Sequence, residues 1–325
     1  MRDFISTISL LYSIPVSGIV TLKKEKVFAV RAGEERFVLK FLDFSAAEIS
    51  FITAAMDCLS RRGFRRFNEI IPAADGKPTA EIGGRRAMMT RFLTGRVPSY
   101  KEEADAAAVG AFLAELHTAA AGFRCSPDSP RWKWGKMTET MRRGGEDIAA
   151  FTEEIRKRGA RDDFDESFLA AADTFRAEIN SAAAELDLFY PALSAEGEKR
   201  GGFCHHDPAH HNFLINEKGA AAFDFDYAIA DLAGHDVAAL LLKLLKANRW
   251  RTERAAAALA AYEEHRPLSD GERRFIRCLL RYPYDFHHAA FARYREHNTS
   301  RRIEKKMARL LREAPLREKA LADFG

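Results

Sequence analysis

The peptide FCHHDPAHHNFLI at residues 203–215 is followed, after the turn residues EKG, by AAFDFD at residues 221–226. Two short apolar runs separated by a tight turn predict a β-hairpin. A hairpin places the loop before its first strand beside the loop after its second strand. Asp207, Asn212 and Asp224 are therefore expected to converge, although they lie up to 17 positions apart in the chain.

These residue types suit phosphoryl transfer. The reaction needs one carboxylate to accept a hydroxyl proton, and oxygen ligands such as an amide and a second carboxylate to hold Mg²⁺. Side chains alternate along a strand, so Asp224 and Asp226 are expected on one face and Phe223 and Phe225 on the other. A simpler interpretation stays open, because Asp, Asn and Pro all favour turns and the loop could be turn chemistry alone.

The residues before position 95 alternate strand-like runs with a single helix. Leu42, Val38 and Lys40 share one face of the predicted strand at residues 36–42, which is unusual for a surface lysine. An inward lysine needs an anion, either a nucleotide phosphate or a carboxylate. The other predicted elements here are strands at 20–22, 27–30, 79–82 and 86–92 and a helix at 46–62 closed by Gly63.

Glu48 offers one partner for Lys40. It lies on the apolar stripe of the predicted helix, together with Ile52, Ala55 and Leu59. The same glutamate completes the capping-box pattern Ser-Ala-Ala-Glu, in which it only satisfies a backbone N–H group. The sequence leaves both interpretations open. Beyond residue 98, alanine-rich helical periodicity dominates at 102–121, 138–157, 163–189 and from about residue 236 onward.

HHDPAHHN followed by FDFD resembles the catalytic and metal-binding motifs of the protein-kinase-like superfamily, in its aminoglycoside phosphotransferase and choline kinase branch. The layout of nearly the whole chain is similar to the CotS family of spore-coat-associated kinase-like proteins, through the peptides FVLKFL, SRRGF, RWKWGK and RYPYDFHHAAFARYREH. This resemblance implies an α+β, bilobal kinase-like fold. Residues 1–94 would form a small nucleotide-binding lobe with an antiparallel sheet and one helix, and residues 95–325 a large, mostly helical lobe carrying the catalytic hairpin.

The resemblance also implies a role for each motif residue. Asp207 would be the catalytic base, with Asn212 and Asp224 as the magnesium ligands. Lys40, paired with Glu48, would bind the nucleotide. His205 would brace the loop, Asp236 would tie the catalytic loop to the helical core, and Asp226 would either assist with the metal or cap the loop.

The function implied is transfer of a phosphoryl group from ATP, with Mg²⁺, to a hydroxyl of a small-molecule acceptor. One feature departs from that pattern. The turn at residues 22–27 reads LKKEKV and has no glycine, whereas glycine normally lets backbone N–H groups approach phosphates closely. The alternative is therefore a catalytically weak or inactive kinase-like scaffold whose partners are spore coat proteins.

Other interpretations of the histidines are less well supported. His205, His206, His210 and His211 could be zinc or iron ligands, but no cysteine completes a tetrahedral set. His206-Asp207, with His117 as an earlier ligand, could belong to an HD-type phosphohydrolase, but such enzymes are all-helical around the site. We expect His210 and His211 to line the acceptor side of the cleft.

Composition narrows the setting of the protein. The chain of 325 residues has a formal net charge of +4, 47% hydrophobic and 30% charged residues, which predicts a globular protein and gives no basic nucleic-acid groove. Four scattered cysteines without a CxxC pair favour a reduced compartment. No apolar stretch is long enough to cross a bilayer, so we expect no membrane partner and a cytoplasmic location, with the spore coat of a sporulating cell as the alternative.

Overall fold

The structure is a computed structural model that describes residues 2–159 and 161–323. The chain divides into two compact units. The first contains Met1–Pro98, Ala114–Trp132 and Gly201–Ala230, and the second contains Ser99–Leu113, Lys133–Arg200 and Asp231–Gly325. The first unit thus joins the amino-terminal region to the peptide of the predicted hairpin. The lobe boundary predicted near residue 94 stays a prediction.

The first unit is built on an antiparallel sheet with the strands β1 Gly18–Lys23, β2 Val27–Ala32, β3 Glu35–Phe41, β4 Ile70–Ile71, β5 Ala80–Ile82 and β6 Arg85–Arg91. The strands lie in the order β1-β2-β3-β6-β4, with β5 pairing to β6. In β3 and β6, Val38 faces Thr90 and Lys40 faces Met88 across the ladder. The predicted strands are present, and one two-residue strand, β4, was not foreseen.

A helix at the amino terminus, α1 (Arg2–Tyr12), was not predicted. Its apolar residues recur at helical spacing, and Ile8 and Tyr12 are buried in one hydrophobic cluster with residues of the sheet. Phe4 packs edge-on against Phe28 at a centroid distance of 5.4 Å. The segment is short and interrupted by polar residues, which hid its amphipathic pattern.

Helix α2 (Ala46–Arg61) forms where the sequence predicted a helix. Ser45 accepts a hydrogen bond from the Glu48 N–H group, and the Glu48 carboxylate accepts one from the Ser45 N–H group, so the capping box is complete. Gly63 has φ +77° just beyond the helix, a left-handed conformation that favours glycine.

The hairpin consists of β7 (Phe213–Asn216) and β8 (Gly219–Ala222), with Phe213 opposite Ala222. The predicted hairpin is therefore present, but its second strand ends at Ala222, before the FDFD motif. A single 3₁₀ turn, Phe225–Tyr227, follows it.

The second unit is helical in the residues that the structure describes. Together with the antiparallel sheet of the first unit, it gives the predicted α+β class. Helix α3 begins in the second unit and ends in the first. The helices are α3 Glu103–Ala120, α4 Met137–Arg158, α5 Asp163–Asp187, α6 Tyr190–Arg200, α7 Gly234–Ala247, α8 Glu253–His265, α9 Asp270–Arg281, α10 Tyr284–Tyr294 and α11 Arg301–Asp323.

Close packing within the second unit depends on a glycine of α4. A Cβ atom on Gly144 would lie 2.0 Å from the hydroxyl oxygen of Tyr282. That hydroxyl is 3.0 Å from Nδ1 of His287, whose Nε2 is 2.9 Å from the carboxylate of Asp147, so the tyrosine is held in place. None of the described helices is long and apolar enough to cross a membrane.

Candidate active site

The loop between Cys204 and Asn212 is fixed at its start by a buried histidine. Cys204 exchanges two backbone hydrogen bonds with Ile229, at 2.8 and 3.2 Å. His205 is fully buried, with Nε2 3.0 Å from the carbonyl oxygen of Phe223 and its ring 4.7 Å from that of Phe225. His205 therefore ties the loop before the hairpin to the loop after it, which is the bracing role that the family resemblance implied.

Asp207 and Asn212 lie side by side at the end of this loop. The Asn212 amide nitrogen donates to the Asp207 carboxylate at 2.7 Å and to its carbonyl oxygen at 3.1 Å. A 3₁₀ turn, His210–Asn212, makes this return possible. Because the amide nitrogen is turned to Asp207, the amide oxygen is the atom that remains to face a ligand.

Asp224 joins this pair through the hairpin backbone. The N–H group of its neighbour Phe223 donates to the Asn212 carbonyl oxygen at 3.0 Å. Asp224 itself has φ 68° and ψ 64°, a left-handed conformation that is uncommon outside glycine. The prediction that side chains alternate through the FDFD motif as in a strand is wrong, because the chain has already left the strand at Asp224.

Lys40 is the point where both acidic residues of the motif meet. Its ammonium nitrogen lies 2.7 Å from Oδ1 of Asp224 and 2.6 Å from Oδ2 of Asp226. The side chains of Lys40, Asp224 and Asp226 are 16%, 35% and 11% exposed. The inward orientation deduced from strand alternation is confirmed, and the anions that receive the lysine are carboxylates.

The charges of this cluster shift one another's pKa values. Burial lowers the pKa of Lys40, but the two carboxylates outweigh it and hold the pKa above its usual value. Burial raises the pKa of Asp224, yet Lys40 brings it below the usual range. For Asp226, burial and the neighbouring Asp224 outweigh Lys40, and the pKa is raised.

The predicted contact between Lys40 and Glu48 is wrong. Among the described residues, the ion pair of Glu48 is with Arg131, at 3.0 Å, and its carboxylate also caps α2. The local capping pattern places Glu48 at the first turn of the helix, while the two aspartates surround the lysine. The capping-box interpretation is the one that the structure bears out.

A cavity of about 310 Å³ opens beside Lys40, Asp224 and Asp226. Its walls are largely apolar, and Thr90 and Asn68 add polar groups. The Asn68 amide oxygen is buried and has no hydrogen-bond partner among the residues that the structure describes. A cavity with apolar walls and a charged end suits a ligand with a flat ring and a polyanionic tail. The apolar lining residues are Leu22, Val27, Val38, Met56, Met88, Phe92, Leu93, Leu214, Phe223 and Phe225.

The glycine-free turn between β1 and β2 adopts its shape without glycine. Glu25 takes the left-handed conformation, with φ 56°. The Lys26 ammonium is 2.8 Å from Asp43, and Arg85 donates to the Glu25 carbonyl oxygen at 3.0 Å. Lys26 is therefore directed to a carboxylate of its own unit, which leaves Lys23 and Lys24 as the exposed cations of the turn.

The remaining loop histidines are at the surface. His206, with φ 66°, and the neighbouring His210 and His211 are exposed. In the part of the chain that the structure describes, these three do not form a group of ligand atoms close enough to share one metal ion. Asn212 and Asp224, by contrast, offer the oxygen atoms that Mg²⁺ prefers, and could hold it.

Comparison with known proteins identifies the family. Residues 24–279 match the phosphotransferase enzyme family. The chain belongs to that family. A homoserine kinase of Gluconacetobacter diazotrophicus is 27% identical over 293 residues, which cover 85% of this chain and 80% of the relative. The resemblance deduced from the motifs is thus confirmed at the level of the family, and the narrower resemblance to the CotS branch stays a prediction.

Solved structures show the fold of this chain. An aminoglycoside phosphotransferase from Alicyclobacillus acidocaldarius superimposes with a TM-score of 0.86 at 18% identity, covering 100% of this chain and 95% of the other. An AMP-bound spectinomycin phosphotransferase gives a TM-score of 0.70 at 13% identity, covering 99% and 98%. The predicted kinase-like fold is confirmed.

Proposed function

We propose that this phosphotransferase moves the terminal phosphoryl group of ATP to a hydroxyl of a small molecule. The observation that carries the proposal is the convergence of Lys40, Asp224 and Asp226 at one end of a cavity that suits a nucleotide. Asp207 and Asn212 adjoin the same hairpin backbone through the bond from Phe223 to Asn212. A cation, a set of oxygen ligands and a carboxylate base are the groups that phosphoryl transfer requires.

Each residue has a distinct task in this proposal. Asp207 accepts the proton of the acceptor hydroxyl and orients its oxygen, while the Asn212 amide holds the Asp207 carboxylate in place at 2.7 Å. Lys40 contacts the phosphates of the nucleotide. Asn212 and Asp224 would hold Mg²⁺, which when bound neutralises phosphate charge. Glu48 contributes indirectly, by fixing the first turn of α2.

The acceptor we favour is a small hydroxy amino acid or amino alcohol. The support is the homoserine kinase relative, which aligns with 85% of this chain and therefore with both units. The exposed His210 and His211 follow Asp207 by three and four positions and are the chain's own candidates for contacting such an acceptor.

The test is direct detection of the phosphorylated product. We would incubate the protein with Mg-ATP and one acceptor at a time (homoserine, ethanolamine, choline, spectinomycin) and follow the phosphoester by phosphorus NMR. We expect one acceptor of the amino acid or amino alcohol class to be phosphorylated, and Asp207→Asn to abolish the product. ATP hydrolysis without any phosphoester, equal in both proteins, would contradict the proposal.

A second candidate is favoured by the turn at residues 22–27. Lys26 of this turn forms an ion pair with Asp43. The turn also lacks the glycine that lets backbone N–H groups approach a phosphate closely. A weakly active or inactive scaffold, with spore coat proteins as partners, needs no phosphate-binding loop. Absence of ATP binding at millimolar concentration in the presence of Mg²⁺ would favour this candidate.

A further inference from the structure

Helix α2 supplies no partner for the lysine of the nucleotide cavity. The helix contains two acidic residues, Glu48 and Asp57. Glu48 is used by the capping box and by Arg131, and Asp57 pairs with Arg61 one turn further along the helix. The buried face of α2 offers no carboxylate, because its buried residues are Ile49, Phe51, Ile52, Thr53, Ala55, Met56 and Leu59.

Lys40 nevertheless needs a permanent anion. Its ammonium is largely removed from water, and a buried charge is costly unless a hydrogen-bonded counter-charge faces it. Both aspartates line the cavity, but the Asp224 carboxylate is a third exposed, so a metal-bound phosphate would compete with the lysine for it. Asp226 is the more deeply buried of the two and contacts the ammonium at 2.6 Å.

The backbone after β8 explains how both aspartates reach one lysine. The left-handed Asp224 and the 3₁₀ turn after it fold the motif back on itself, where an extended strand would have carried it past Lys40. Phe225 anchors this turn, packed against Phe67 at 5.8 Å and His205 at 4.7 Å. The position of Asp226 is therefore set by the same buried histidine that braces the catalytic loop.

From this geometry we infer that Asp226 is the positioning residue for Lys40, in the place that a glutamate of α2 was expected to take. The inference rests on the proposed function and deepens it. Asp226 holds the ammonium over the cavity while Asp224 is free to turn to a metal ion. The orientation in which Lys40 can bind a nucleotide thus depends on the loop after the hairpin and not on the position of α2.

A double-mutant cycle between Lys40 and Asp226 tests this assignment. In the Asp226→Asn variant we expect the KM for ATP to rise about tenfold with kcat changed less than about threefold, because the loss concerns nucleotide binding. In a Lys40→Met background, Asp226→Asn should add no further loss, because the residue acts through the lysine. Asp226→Glu should recover part of the affinity, since it keeps the charge.

The controls separate this role from two others. Asp57→Asn makes the same acid-to-amide change at an exposed site of α2 and should leave the KM for ATP unchanged. If Asp226 acted on the metal, the loss would persist in the Lys40→Met background and grow as Mg²⁺ is lowered; that result would overturn the assignment. Equal KM values for wild type and Asp226→Asn would also overturn it.

Two further outcomes keep the test decisive. If Asp226→Asn does not fold, the comparison between Asp226→Glu and wild type, with and without Lys40→Met, carries the same cycle, and additive effects there would overturn the assignment. If wild-type protein binds no ATP, the proposed function fails and the assignment fails with it. If wild type binds ATP and the cycle is additive, only the assignment fails.

Discussion

At the scale of single residues, the site depends on charges that sit close together and are only partly hydrated. Lys40 faces two carboxylates within 2.7 Å. Neutralising the lysine or either aspartate therefore changes the net charge of a partly buried cluster. Removing one partner of a buried ion pair usually costs more than the pair contributes, because the remaining charge is left unpaired.

Lys40→Ala should therefore act on both binding and stability. We expect ATP affinity to fall at least about tenfold, and the free energy of unfolding to fall by roughly 1–3 kcal/mol as Asp224 and Asp226 are left facing each other. Urea unfolding and ATP titration measure the two effects. An unchanged ATP affinity would show that the lysine does not contact the nucleotide.

Asp207→Asn separates the base from the rest of the site. The amide keeps the size of the side chain but cannot accept the hydroxyl proton, so we expect kcat to fall on the order of a thousandfold. The KM for ATP should stay within about threefold, because the proposed role of Asp207 concerns the acceptor and not the nucleotide. Steady-state kinetics with ATP and the acceptor that the wild-type protein phosphorylates checks this. A loss confined to the KM for ATP would argue against the role of Asp207 as the base.

At the scale of elements, helix packing in the second unit depends on one close approach. Gly144→Ala should lower the free energy of unfolding by about 2–3 kcal/mol, because the new methyl group would meet the Tyr282 hydroxyl, which His287 holds in place. Gly145→Ala is the matched control: its methyl group would lie 3.0 Å from the side-chain oxygen of Asn180, which is exposed and can move. Thermal unfolding should rank the two variants; equal stabilities would contradict this packing.

Three helices of the second unit are joined by an ion-pair cluster with a defined pH dependence. Burial raises the pKa of Asp285, but Lys246 at 2.8 Å and Lys306 at 3.0 Å outweigh it and lower the pKa to about 2. A depressed pKa stabilises the fold above the unfolded value of about 4, and this contribution is lost as pH falls towards 2.

Asp285→Asn should accordingly destabilise the protein by about 2 kcal/mol at pH 7 and by progressively less below pH 4. Urea unfolding of wild type and variant across that range checks the sign. A difference in stability that stays constant from pH 7 to the lowest measurable pH would show that the ion pairs are not its source.

At the scale of the whole molecule, the sequence predicted the features that depend on neighbouring residues better than those that depend on contacts between distant parts of the chain. The spacing of His205, Asp207 and Asn212 before a hairpin predicted that Asp207 and Asn212 lie together, and strand alternation predicted the inward Lys40. The partner of that lysine was missed because it depends on the left-handed backbone of Asp224, and no residue type in the FDFD motif demands that conformation. Helix α1 was missed because its burial comes from contacts with the sheet.

ATP binding, measured by calorimetry with Mg²⁺ and with a chelator, is the sharpest test of the proposed site. We expect wild-type protein to bind ATP more tightly with Mg²⁺, with a dissociation constant below about 1 mM. Asp224→Asn should lose the gain that the metal gives, and Asp207→Asn should keep it. Wild-type protein that binds no ATP at millimolar concentration, or binds it equally with and without Mg²⁺, would contradict the account.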